Sequence, residues 1–459
     1  MIVPAPPVGT GINEHCAVTH KKSFDDKLTS RAGCLIIPGC RTCLVSRLMK
    51  LSVNEEHSMK LTIKIGAGWL FAALVTAGAA EIFVAPVPRG ADGNPGTRAQ
   101  PKANIQQAIW NLKPGDTLTL LAGVYTTPFS FARSGTAAAP IRVRGDAVAS
   151  GGEGAVIDGT GLGPAGPEFS MIAVSANHIT IEGIEVRNSP GWGISVWGKT
   201  NATIRQNKIF GCAMGGITAG FTDYTTVRHV LIEGNTLRDN CRANAAHRAL
   251  AGWPASLSVG GNECIVRDNL VERGHGEGIA VGGDRIVVER NVVRNHFSAG
   301  IYLDNATNCV VRANFVQQQP EPPYYMAGQE PGYLTGGRSI STGIQLANER
   351  PFHGKANPTA DNLIEWNVVA GAKAALYYGE YQLGGGIKRT RFERNTFIDG
   401  SVSLIHIDSS AGHADNVFAD NRCVQTLPRP VLNSASVPAG FTFRDNLWLG
   451  GPPPAQRKP

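Results

Sequence analysis

The chain has 459 residues, enough for one large solenoid or for two to three ordinary domains. Glycine (55) and proline (28) are abundant while aromatics make up only 7%, a balance that favours a turn-rich β architecture over a helical bundle. The net charge of +7 falls to +5 beyond residue 58 and includes no Lys/Arg stripe interleaved with aromatics. That excludes a nucleic-acid footprint and leaves a mild positive field suited to an anionic polymer.

Residues 1–58 hold four of the nine cysteines and no sustained periodicity, and read as an upstream extension, non-native or disordered. From Met59 the pattern changes. Lys60 and Lys64 precede an apolar run that ends in Ala77, Gly78 and Ala79, an A-x-A cleavage pattern. Residues 59–80 are therefore expected to be a secretory signal peptide, with translation starting at Met59. The alternative is a membrane anchor at 61–80, whose apolar run is at the short end for a span. Both readings take the bulk of the chain out of the cytoplasm, secreted or periplasmic, and the first leaves no stable membrane span after cleavage.

Residues 81–150 read as an N-terminal cap and first coils. A strand and turns (IFVAPVPRGADGNPGTRAQ) lead to a segment with Ile105, Ala108, Ile109 and Leu112 on one helical face, then to a strand in KPGDTLTLLAGVY. A solenoid must cover the end of its core, so a short helix over 103–112 is expected to act as the plug.

Over 151–449 a repeat emerges when the chain is aligned on one position. ATIRQNKI, VLIEGNTL, CIVRDNLV, IVVERNVV, CVVRANFV, NLIEWNVV, TRFERNTF, NVFADNRC and FTFRDNLW share an apolar residue three positions before an asparagine. The asparagines are Asn207, Asn235, Asn269, Asn291, Asn314, Asn367, Asn395, Asn421 and Asn446, spaced 28, 34, 22, 23, 53, 28, 26 and 25 residues apart. Most spacings match one three-strand coil, and the long ones contain insertions. Asparagine tolerates left-handed backbone at a sharp turn, and amides stacked about 4.8 Å apart can bond one another. The core residues preceding them run Ile204, Ile232, Val266, Val288, Val311 and Ile364, then Phe392, Phe418 and Phe443, predicting an aliphatic stack that becomes aromatic. Residues 450–459 are expected to be a disordered tail.

A second strand in each coil is marked by a small residue followed by alternation: GISVWG, GITAG, GIAVGG, GIYLDNA, GIQLAN, ALYYGE and LIHIDSS. Alternation puts Ile301 and Leu303 inside and Tyr302 and Asp304 outside. The outward column is then Ser195, Thr218, Ala280, Tyr302, Gln345, Tyr377 and His406, with Trp197, Asp304 and Asp408 beside it. The fold class is thus all-β, a single-stranded right-handed parallel β-helix with an N-terminal capping helix.

The cap segments FVAPVPRGADGNPGT and KPGDTLTLLAGVY, followed by the asparagine-turn coils, resemble the pectate-lyase-like superfamily of right-handed β-helix proteins over nearly all of 82–449. The resemblance implies the fold and an active groove on the second-strand face and its loops. It also implies activity on acidic polysaccharides, as lyase, hydrolase, esterase or epimerase, or a binding or periplasmic maturation role. No family-specific catalytic signature transfers residue by residue, and the paired aspartates of a polygalacturonase-type hydrolase are not evident.

Cleavage of a uronic acid by β-elimination needs a base, a cation to neutralise the carboxylate, and an acid for the leaving oxygen. His275, Tyr302 and Lys373 are the candidate bases and acids, with Glu277 as a further catalytic residue. Glu277 and Asp304 would bind a cation such as calcium, whose oxygen ligands leave no sequence motif when gathered from different coils. His296, Asp304, Gln345, Tyr377 and His406 are candidate substrate-binding residues on the wall. The bland reading of each is a solvated polar group on an outward strand face. Three insertions, 241–254, 317–339 and 348–361, are too long for coil turns and point to binding. There Trp253, Tyr324, Tyr325 and Tyr333 offer rings for sugars, and His247, Arg248, Arg338, Arg350 and Lys355 offer charges for carboxylates. Equally, such loop aromatics pin a loop down.

Of the five cysteines beyond residue 80, Cys264 and Cys309 fall at core positions two coils apart. Cys212 and Cys241 follow successive asparagines by five and six residues, a placement that would let them bridge in an oxidising compartment. No Cys/His spacing suggests zinc. The function expected is a secreted polysaccharide lyase acting on an acidic polysaccharide or oligosaccharide. The alternatives are a β-helix glycoside hydrolase and a non-catalytic glycan-binding β-helix. Oligomeric state is open.

Overall fold

The computed structural model describes residues 78–146, 154–220, 226–246, 254–318, 341–349, 359–381 and 385–455. Among them the chain winds through three long parallel sheets. Sheet A has thirteen strands from Glu81–Val84 to Phe441–Arg444, sheet B twelve from Gly123–Tyr125 to Leu447–Leu449, and sheet C ten from Phe129–Ser130 to Ile405–Ile407. Each coil contributes one strand to C, then to A, then to B, as in Ile301–Thr307, Val310–Arg312 and Phe315–Gln317. The fold is a right-handed parallel β-helix. The expected helix is present as Ile105–Trp110, shorter than 103–112. The Asn104 side chain caps it by accepting from the Gln107 amide at 3.0 Å, and Ile105, Ala108 and Ile109 enter the core.

The nine asparagines form one continuous file. Each Nδ2 from Asn207 to Asn421 donates to the Oδ1 of the next asparagine along the axis at 2.9–3.1 Å. The same Oδ1 also accepts the backbone N–H of the preceding asparagine, as in Asn314 N–H to Asn367 at 3.0 Å. A further bond runs from Nδ2 back to the core residue one coil earlier, as in Asn367 to the Val311 carbonyl at 2.9 Å. The left-handed residue of the turn is not the asparagine but the one before it: Gln206, Gly234, Asp268, Arg290, Ala313, Trp366, Arg394, Asp420 and Asp445 all have φ between 53° and 63°. The asparagine is selected for its amide, and its neighbour bears the strained backbone.

In register, Ile181, Ile204, Ile232, Val266, Val288, Val311, Ile364, Phe392, Phe418 and Phe443 stack in sheet A. The change to aromatic packing occurs where expected, with the Phe418 and Phe443 rings 4.6 Å apart. Cys264 and Cys309 are buried core fillers. The Cys212–Cys241 bridge is not formed: both thiols are free and buried, and Cys241 Sγ lies 3.2 Å from the Pro254 carbonyl. Burial pushes both thiols up, Cys212 to about 12.

Candidate functional site

The small residue that opens each strand of sheet C has a packing reason. A Cβ on Gly193 would come within 2.6 Å of Ile209 Cγ2, on Gly278 within 2.6 Å of Val293 Cγ1, and on Gly300 within 2.5 Å of Val316 Cγ1. These glycines therefore face the interior at the corner where sheet C meets sheet B. The residue after each is also inward, since Ile194, Ile279 and Ile301 are core residues. Two successive inward positions break the alternation. Consecutive amides accordingly donate to consecutive carbonyls of the next coil, Gly278 to Ala299 and Ile279 to Gly300. The break leaves Glu277, just before Gly278, on the outer side.

From there alternation resumes and the outer column follows the expected register: Ser195, Thr218, Ser258, Ala280, Tyr302, Gln345, Tyr377 and His406 are paired coil to coil. Ser258 is the member that sequence inspection missed, because ASLSVGGN opens without glycine. Asp304 lies two residues beyond Tyr302 on the same strand, at an irregularity in the pairing with the Glu277–Asp284 strand.

Sheet C thus brings Glu277, Tyr302 and Asp304 together with Glu349, which sequence reading did not single out. The Tyr302 hydroxyl donates to Glu349 Oε1 at 2.6 Å, and the Glu349 backbone N–H donates to Asp304 Oδ1 at 3.0 Å. Glu277 is only 8% exposed. Burial, with the charges of Glu349 and Asp304 added, holds it well above the usual carboxylate range. Burial likewise raises Asp304 to about 7, the Glu349 N–H opposing and the Glu349 charge reinforcing the rise. Burial and the surrounding carboxylates push the Tyr302 phenol up, so it acts as a donor rather than a base.

One coil further on, Gln345 bridges to a second group. Its Oε1 accepts from the Thr342 hydroxyl at 2.7 Å and its Nε2 donates to the Tyr381 hydroxyl at 3.4 Å. Beyond it Tyr377 stacks on His406, ring centroids 4.7 Å apart, and Lys373 Nζ lies 5.3 Å from the Tyr377 centroid. His406 Nε2 pairs with Asp408 Oδ1 at 2.9 Å, leaving its Nδ1 without a partner among the described residues.

Two expected site residues lie elsewhere. His296 is 1% exposed and points inward, its Nε2 at 3.2 Å from the Val271 carbonyl, and it cannot touch a substrate on the wall. It fills the same corner as Asn240 two coils before it, whose Nδ2 donates to the Ile209 carbonyl in the way His296 meets that of Val271. Burial lowers its pKa to about 4. His275 feels Asp239 and Arg242 rather than the groove carboxyls, and burial lowers its pKa. Arg248, Trp253 and Tyr324 fall outside the described residues, as do His247, Tyr325, Tyr333, Arg338, Arg350 and Lys355.

Two family models match the chain. One, described as a Pel9A-like right-handed β-helix region, covers residues 82–245, and the other, described as periplasmic copper-binding protein (NosD), covers residues 175–422. The chain belongs to the NosD family. Over residues 82–245 it is also similar to the Pel9A-like right-handed β-helix region. No curated protein sequence matches. Among solved structures, a tailspike protein, Dettilon gp208, is similar over 80% of this chain and 66% of its own, at 16% identity and TM-score 0.52. A GH136 lacto-N-biosidase from Eubacterium ramulus matches over 81% and 68%, at 16% identity and TM-score 0.45. Pectate lyase Pel9A matches over 82% and 81%, at 14% identity and TM-score 0.43. Likeness at these identities shows the fold alone.

Copper in proteins is held by thiolate, thioether and imidazole donors. Among the described residues of this NosD-family chain, no three His, Cys, Asp or Glu side chains come together to hold a metal ion. The five described thiols are buried in the interior. These residues do not fit copper. No described helix is long and apolar enough to cross a membrane.

Proposed function

We propose that this protein is an exported, periplasmic or secreted, carbohydrate-active β-helix enzyme that hydrolyses glycosidic bonds on the outer face of sheet C. The observation that carries the reading is a set of carboxyls with unlike surroundings: burial raises Glu277 well above the usual carboxylate range and Asp304 to about 7, beside the exposed Glu349, which receives a phenolic hydrogen bond. Glycoside hydrolysis asks for one carboxylic acid to protonate the leaving oxygen and one carboxylate to act as base or nucleophile. Asp304, raised to about 7, suits the acid, because a donor is most effective when its pKa lies near the working pH. Glu349, exposed and oriented by Tyr302, suits the carboxylate. Glu277, kept neutral, can donate to a sugar hydroxyl.

The lyase reading is less well supported. A uronate on this wall would face the acidic side chains of Glu349 and Asp408, with Lys373 as the nearby described cation. Tyr302 is a poor base at its raised pKa, and His275 senses other charges.

The test is product analysis on neutral and acidic glycans, following reducing ends and the ultraviolet absorbance of unsaturated uronate in parallel. Reducing ends without unsaturation are expected, with Asp304→Asn and Glu349→Gln each lowering kcat by about 10²–10⁴-fold. Unsaturated product would replace hydrolysis by elimination. Absence of any product across the panel would remove the enzymatic reading.

A further inference from the structure

Beside the carboxyl cluster stands an aromatic ring that is largely exposed. Tyr381 is 56% exposed, although it follows directly on a sheet C strand, Leu376–Gly379. Its inner side is held. A Cβ on Gly379 would lie 2.9 Å from Tyr381 Cε2 and 3.0 Å from Tyr377 Cε1, so the glycine lets both rings settle on the strand. The Gln345 amide fixes the hydroxyl, and Gln345 is itself anchored by Thr342. The strand it follows pairs on one side with that of Gln345, the neighbour of Tyr302, and on the other with that of His406, which places the ring between the carboxyl cluster and the His406–Asp408 pair.

We infer that Tyr381 is a specificity-determining subsite that stacks on the apolar face of an uncharged pyranose adjoining the bond to be cleaved. This rests on the glycan-active reading above and narrows it to a substrate class. A rigid aromatic face binds a sugar at low entropic cost, since only two side-chain torsions have to be held. The acidic side chains of Glu349 and Asp408 near it disfavour a uronate in the same place. The missing Cβ at 379 and the amide at 345 act as positioning elements, because neither reaches the ring's outer face.

The test measures binding and turnover separately. Wild-type protein, Tyr381→Ala and Tyr381→Phe are titrated with neutral hexasaccharides (cello-, xylo-, manno- and chito-) and with oligogalacturonate and oligomannuronate. The alanine variant is expected to bind the preferred neutral probe at least about tenfold more weakly, with KM raised and kcat little changed, while phenylalanine restores binding. Uronate probes are expected to bind at least about tenfold more weakly than the neutral one. Equal affinity of Tyr381→Ala and wild type, preference for a uronate, or no binding of any probe would each overturn the inference. The hydrolase reading fails on a different result: Asp304→Asn that binds and turns over normally. Near-native circular dichroism of Tyr381→Ala is expected, because the ring is 56% exposed.

Discussion

At the scale of single residues, the file of asparagines shows how one side chain can satisfy several backbone and amide groups in a buried turn. Asn367 accepts from Asn314 twice and donates to Val311 and Asn395. Asn367→Ala would strip these side-chain bonds from the Asn314 backbone N–H and the Val311 carbonyl in the middle of the solenoid. A loss of about 3 kcal/mol is expected, measurable by denaturant unfolding, since each buried group left unsatisfied costs about 1–3 kcal/mol. Asp304 makes the opposite kind of prediction. Its carboxyl is raised from 3.8 to about 7, so between those values the folded chain holds a proton that the unfolded chain releases. Its contribution is full below about pH 4 and is lost as pH rises through about 7, with a slope near 1.4 kcal/mol per pH unit. Wild type should therefore lose stability over that window relative to Asp304→Asn, and thermal melts of the two across pH decide it. The same proton makes kcat fall above about pH 7 if Asp304 is the acid.

At the scale of elements, the corner between sheets B and C depends on matched small and large residues. Gly300 faces Val316, and Gly278 faces Val293. Gly300→Ala is expected to cost about 1–3 kcal/mol through overpacking. Val316→Ala removes the methyl that the new Cβ would strike, so the double variant should be more stable than the sum of the two single changes. A double-mutant cycle with simple additivity would contradict this account of the glycine column. The free cysteines belong here too, because they fill interior positions of the coil. Thiol titration should find the five described cysteines unreactive in the folded protein and accessible after denaturation. A missing pair after denaturation would mean that Cys212 and Cys241 are bridged.

At the scale of the whole molecule, stability is shared between neighbouring coils, because each strand pairs only with the coils on either side. Phe418 lies between Phe392 and Phe443 in that sequence of contacts. Phe418→Ala is expected to cost about 3–5 kcal/mol and to raise hydrogen exchange in the coils around 392–449 well before those around 181–232. Uniform loss of protection along the chain would show a single cooperative unit instead.

The periodic part of this architecture was legible from the amino-acid order. Recurrence of asparagine, an apolar residue three positions earlier and a two-residue alternation after glycine are local patterns, and they specify the coil, its core and the outward column through His406. Ser258 escaped because its strand lacks the glycine signal, and the left-handed turn position was displaced by one because any of several residues bears it. What no local pattern carries is which side of a corner a residue takes once alternation breaks. Only the stacked coils place Glu277 outside and His296 inside, and only they bring Glu349 to the Tyr302 hydroxyl across 47 positions of chain. The physical reason is that protonation and proximity depend on burial and on charges from other coils, whereas hydrophobic period depends on a residue's own strand.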